Sequence, residues 1–123
     1  MILIGDELVP FENFSFISNI EQINSTKANS TILFNYDEVL LKYTYKNKLP
    51  SAIIVNSLKD SIYCNNLNAK YIISEKDLAK QIQKIADNYM FDSKNIAIID
   101  SNDEFEEVLS YEIDGIIYRK LIQ

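Results

Sequence analysis

The chain has 123 residues, 47% hydrophobic and 24% charged, with a net charge of −6, which fits one globular domain able to bury a core without metal or disulfide staples. It contains no His, one Cys and two Gly; His-based triads, His-ligated or Cys-rich metal sites, internal disulfides and Gly-rich phosphate loops are therefore excluded. Eighteen Asp and Glu outnumber twelve Lys and Arg, and the lysines are scattered, so no nucleic-acid partner is expected.

Short β-branched runs recur in chain order: residues 2–4, 14–17, 31–34, 52–55, 71–73, 96–99 and 115–118. The later ones are continuous rather than alternating, as in strands buried on both faces of a parallel sheet. Met1–Ile4 lacks a charged leader and is followed at once by Asp6 and Glu7, so it does not have the form of a signal peptide. No apolar run approaches the roughly 20 residues that span a bilayer. With the lone Cys64, this predicts a cytoplasmic protein without membrane contact. Residues 19–30 carry only Ile20 and Ile23 as a helical hint and are expected to form a loop.

Helical patterns lie between the runs. They comprise Leu40, Leu41, Thr44 and Tyr45, then Leu58, Ile62, Tyr63 and Leu67. A long stripe follows, from Leu78, Ala79 and Ile82 through Ile85 and Ala86 to Tyr89 and Met90, and then Phe105, Val108, Leu109 and Ile113. Ser101–Glu104 forms a capping box, and Ser57–Asp60 and Ser74–Asp77 are Asp versions of it. Pro50 suits the lead-in to a strand, and Asn68, Asp114 and Gly115 suit turns from helix back to strand. From residue 31 the chain alternates strand and helix through five strands. The expectation is a single domain over residues 1–123, a three-layer α/β fold of doubly wound, flavodoxin-like kind. Five to seven mostly parallel strands are joined by right-handed crossovers, with helices on both faces. Ile54, Ile72 and Ile98 are expected to be almost fully buried at strand centres.

Three stretches share a further pattern. Met1–Glu7 ends a strand on an acidic pair, Ser51–Ser57 ends one on a hydroxyl, and Leu67–Ser74 leads through a strand into an amphipathic helix. Over residues 1–90 these resemble a response-regulator receiver domain with a degenerate site. The resemblance implies a flavodoxin-like sheet and, in an intact member, phosphoryl transfer to an Asp ending the third strand. Here Asn35 or Tyr36 holds that position, and Asp37 follows one or two residues late. The family's Lys after the fifth strand is replaced by Glu75, with Lys76 beside it and no Pro following. Residues 91–123 add a strand–helix–strand that the family lacks.

Ligands of open α/β sheets bind beyond the carboxyl ends of the strands. The candidate binding residues there are Asp6, Glu7, Asn35, Asp37, Ser57, Glu75 and Asp100. If Asp6, Glu7 and Asp37 converge, their oxygens could hold Mg²⁺. The same residues stand where helix N-termini need caps. With no His to activate them, Ser57, Ser74 and Ser101 are expected to cap rather than to attack, and no catalytic residue is assigned. Cys64, within a helix, is expected to be a half-buried, inert thiol. Eight tyrosines suit partly exposed contact surfaces. The run at 115–118 has no helix after it; if it lies at a sheet edge, Tyr118 and Leu121 are candidates for a homodimer contact. These points favour a non-enzymatic regulatory or protein-interaction module with a protein partner or a second copy. The alternatives are a small-ligand-binding domain or Mg-dependent enzyme using the strand-end carboxylates, and a phosphoaccepting receiver.

Overall fold

All seven β-branched runs form strands in the computed structural model, which describes residues 1–123. They are β1 (Ile2–Ile4), β2 (Phe14–Phe16), β3 (Thr31–Asn35), β4 (Ser51–Ile54), β5 (Tyr71–Glu75), β6 (Lys94–Ile99) and β7 (Gly115–Tyr118). The helices are α1 (Glu38–Lys46), α2 (Leu58–Asn66), α3 (Lys76–Asn88) and α4 (Phe105–Ser110), with 3-10 turns at Ile20–Ser25, Asn102–Glu104 and Arg119–Ile122. The strands pair in parallel throughout one curled sheet, ordered β1-β7-β6-β5-β4-β3-β2. This is the α/β parallel-sheet fold that the sequence predicts, consistent with the flavodoxin-like class in its sheet and differing in its helix layers. No helix is long and apolar enough to cross a membrane.

The strand order has a consequence for the layers. From β2 to β7 the sheet is built in one direction, so successive right-handed crossovers place every helix on the same face. Packing bears this out. Leu40 and Leu41 of α1, Cys64 of α2 and Ile82 of α3 pack with Ile32, Phe34, Ile53 and Ile72. Ala79 of α3 and Val108 of α4 pack with Ala97, Ile99, Ile116 and Tyr118. Register places Ile53 beside Ile72, Ile72 beside Asn95 and Ala97 beside Ile116, so these residues share one face. The other face has no α-helix, unlike the two helix layers expected. Its Ile4, Leu33, Ala52, Tyr71, Ile73, Ile96, Ile98 and Ile117 are buried against one another, with Leu121 and Ile122 of the last 3-10 turn beside them. The curl of the sheet lets strand side chains bury each other where a helix would otherwise be needed.

Local signals account for most element boundaries. Asp37 caps α1 by accepting from Leu40 N at 3.0 Å, and Ser57 caps α2 by accepting from Asp60 N at 3.1 Å. Ser101 and Glu104 close the capping box before α4. Ser74 is a correction: it lies inside β5 on the helix-side face, fully buried, and its Oγ bonds nothing. The N-cap of α3 is Glu75, which makes no side-chain cap bond. Strand alternation decides this, because a residue two after the inward Ile72 must also point inward.

The helix ends show a repeated device. Lys48, Asn68 and Met90 adopt left-handed backbone after α1, α2 and α3. The following N–H groups of Leu49, Ala69 and Phe91 return to the carbonyls of Thr44, Cys64 and Ala86, the bond pattern of a Schellman close. Leu49, Ala69 and Phe91 then pack into the helix-side core. After α4 the left-handed residue is Glu112, not Asp114 or Gly115. Asp114 instead accepts from Asn95 N at 2.8 Å, and Gly115 begins β7, pressed against β1.

Four further expectations change. Ile72 and Ile98 are buried, but Ile54 is only half-buried, at the carboxyl mouth of the concave face. The apolar stripe of α2 is rotated: Ser61 and Cys64 enter the core, leaving Ile62 and Tyr63 exposed. Tyr89 and Met90, assigned to the stripe of α3, are exposed past its end. Finally, β7 is not an edge strand. It lies between β6 and β1, Tyr118 is buried, and Leu121 packs inward near Gly5. A dimer contact through Tyr118 and Leu121 therefore has no edge on which to form. The sheet edges are β1 and β2.

Candidate functional site

The carboxyl ends of β5, β6 and β7 meet at the mouth of the concave face. Strand alternation points Glu75, Asp100 and Arg119 to that side, two residues beyond Ile73, Ile98 and Ile117. Arg119, the only arginine, donates from Nη1 and Nη2 to both Glu75 oxygens at 2.8 Å and from Nε to Asp100 Oδ1 at 2.8 Å. This bidentate, planar pairing uses the full reach of a guanidinium. The Arg119 bonds hold the Glu75 carboxyl below its ordinary value. Beside it, Lys76 pairs with Glu104 and Glu107 at 2.7 Å. Lys76, with the capping bonds from Asp100 N and Ser101 N, lowers Glu104 to about 2.

At the adjoining end of β1, Asp6 accepts from Leu8 N at 2.7 Å, Val9 N at 3.3 Å and the Tyr118 hydroxyl at 3.0 Å. These bonds, Leu8 N–H first, lower its carboxyl. Tyr118 also meets the Asn102 side chain, and burial together with Asp6 pushes its hydroxyl up to about 12. Asp6, Glu7, Asp100, Ser101, Asn102 and Tyr118 line an open hollow of about 560 Å³.

Of the candidate residues, Asp6, Glu7 and Asp100 thus share this hollow, and Glu75 joins it through Arg119. Asn35, Asp37 and Ser57 belong to the β3–β4 part of the sheet, where Asp37 and Ser57 are helix caps and Asn35 is exposed. Four strands separate β1 from β3. Asp6, Glu7 and Asp37 do not come together, and no group of three or more His, Cys, Asp or Glu is arranged to hold a metal ion. Cys64 is fully buried, and burial with nearby Asp60 pushes its thiol up to about 12. Such a thiol carries no thiolate at neutral pH.

The amino mouth of the concave face is closed by Glu12, which sequence reasoning did not single out. From just before β2 it reaches β5, accepting from Lys70 Nζ at 2.8 and 3.0 Å and from the Tyr71 hydroxyl at 2.5 Å, and also from Thr31 Oγ1. Burial pushes its carboxyl up, but these donors outweigh that and leave it below its ordinary value. Glu12, Glu75 and Glu104 therefore act with one sign. Each is lowered on folding from a value near 4.5, so its contribution is complete above that pH and is lost as pH falls through the folded value, about 2 for Glu104. Melting temperature should fall between about pH 4.5 and 2, and Glu104→Gln should flatten the lower part of that fall. An identical acid limb in the variant would show that the Lys76–Glu104 pair contributes nothing.

A second concavity lies on the helix layer. Between α1 and α2, Tyr36, Val39, Leu41, Tyr45, Tyr63 and Leu67 line an open groove of about 590 Å³, with Glu38, Lys42 and Lys46 at its rim. Its apolar walls were legible only in part. Val39 stands off the apolar stripe of α1, a signal that it does not serve the core, whereas Tyr63 was assigned to the core stripe of α2. No family model matches this chain, and no curated protein matches it.

Proposed function

We propose that the protein is a non-enzymatic, cytoplasmic regulatory or protein-interaction module that docks a partner protein in the α1–α2 groove. One observation carries this reading. Val39 is 63% exposed, Tyr63 47% and Tyr45 45%, on helices whose core contacts are complete without them. Partly exposed tyrosines beside aliphatic side chains are the composition of contact surfaces rather than of ordinary solvated helix faces. The strand-end groups support the same reading by their pairing. Arg119, Glu75, Asp100, Asp6 and Tyr118 are engaged with one another or with backbone, which is the state of groups that hold a fold. The homodimer expected at β7 has no edge there, so the groove is the surface on which we place the partner.

If these side chains are kept for binding, they are dispensable for folding. Val39→Gln and Tyr63→Gln should each change unfolding free energy by no more than about 0.5 kcal/mol. A loss of about 2 kcal/mol or more in urea denaturation would assign them to the core and remove the basis of the proposal. The second reading, a small-ligand site, is favoured by the convergence of Asp6, Glu7 and Asp100 on one hollow. Calorimetric Mg²⁺ binding abolished by Asp6→Asn would support it over the first.

A further inference from the structure

We infer that the α1–α2 groove takes an amphipathic helix with acidic flanks. This deepens the docking proposal above and rests on it. The charge distribution points to the sign of the partner. Residues 36–70 carry five lysines against Asp37, Glu38 and Asp60, a net positive stretch in a chain of net charge −6. Lys70, Lys76 and Arg119 pair with carboxylates of the chain itself. Lys42 and Lys46 at the groove rim pair with none, and Lys59 has only the Tyr63 ring, at 5.9 Å.

The tyrosines divide in the same way. Tyr71, Tyr111 and Tyr118 each donate to a carboxylate of the chain: Glu12, Glu107 and Asp6. The groove tyrosines Tyr36, Tyr45 and Tyr63, like Tyr43 and Tyr89 outside it, have no protein acceptor, and Tyr45 and Tyr63 are exposed beside two free ammonium groups. Carboxylates on a partner would complete both sets through charge-assisted bonds.

The apolar floor decides the form of the partner. The walls are helices whose backbone groups are already bonded, so there is no strand edge to extend. An apolar groove between helices matches a helix presenting anchors at i, i+3, i+4 and i+7. A polyanion without apolar anchors fits less well. Few cations line the groove, Glu38 is among its rim residues, and an overall charge of −6 repels a phosphate backbone.

Fluorescence anisotropy of the full chain with a labelled synthetic peptide tests the inference. The probe is about four helical turns long, with leucines at i, i+3, i+4 and i+7 and glutamates elsewhere. It should bind saturably, weaken about tenfold in a Lys42→Glu/Lys46→Glu variant, and lose binding in Val39→Asp. Circular dichroism melts confirm that both variants are folded. A shuffled peptide and one with lysines in place of glutamates should not bind. Equal binding of the lysine peptide, still abolished by Val39→Asp, would overturn the acidic partner and leave the docking groove standing. Absence of binding by the acidic peptide overturns the inference, as does binding that Val39→Asp does not touch. A single-stranded RNA oligonucleotide binding through Lys42 and Lys46 more tightly than the peptide would also overturn it.

Discussion

Replacing Gly115 with alanine should cost on the order of 3 kcal/mol. A Cβ at this position would lie 2.5 Å from the Ile2 carbonyl oxygen and 2.6 Å from Ile2 Cβ. Gly115 pairs directly with Ile2 in the β1–β7 register, so the atoms in the way are backbone and strand, not a flexible side-chain tip. The variant must separate β1 from β7, which would uncover Ile4, now 1% exposed. Hydrogen exchange gives a local readout, because Ile2 N donates to Asp114 O at 2.8 Å and should lose its protection in the variant. A loss below about 1 kcal/mol, with Ile2 still protected, would show that β1 does not lie against β7.

Ile72→Ala and Ile98→Ala should each cost about 2–5 kcal/mol in urea denaturation, while Ile54→Ala should cost about 1 kcal/mol. The first two side chains are buried on opposite faces of the sheet, Ile72 under the helices and Ile98 in the concave core. Ile54 is half-buried at the carboxyl mouth. The comparison therefore tests the less usual of the two faces. A concave face closed by the curl of the sheet should be as dry as the face under the helices, and its truncation should leave a cavity of similar cost. If Ile98→Ala cost below about 1 kcal/mol while Ile72→Ala kept its full effect, water would have to enter the concave face.

The strands and helices were legible because their signals are local. Continuous β-branched runs mark buried parallel strands, and Ser57 and Ser101 with their acids mark helix starts. The strand order was not legible, because pairing of β1 with β7 joins residues more than a hundred positions apart. One clue did lie in the chain. A glycine at the start of an apolar strand signals close approach of another backbone, and Gly115 was instead assigned to a turn. The lack of a helix after residue 118 pointed to an edge strand with Tyr118 at the surface. The rotated face of α2 has a similar origin. Small Ser61 and Cys64 fit beneath the helix where larger apolar residues were expected, so Ile62 and Tyr63 were assigned inward.

The candidate site was legible as residue types but not as an arrangement. Asp6, Glu7 and Asp100 do converge, and Asp37 does not, because four strands lie between β1 and β3. Arg119 and Glu12, which close the two mouths of the concave core, are single charges in unremarkable stretches. Their role appears only when the sheet curls and brings distant strand ends within bonding distance.

In the proposed reading, strand-end carboxylates hold the fold and the helix-layer groove binds the partner. Site-specific photo-crosslinking in the cells that make the protein tests both halves at once. The crosslinker is placed in turn at Val39 and Tyr63 in the groove, at Glu7 and Ser101 in the strand-end hollow, and at exposed Gln81 on α3. A discrete heavier product is expected from the two groove positions and none from the other three. A product from Glu7 or Ser101 with none from Val39 or Tyr63 would contradict that reading.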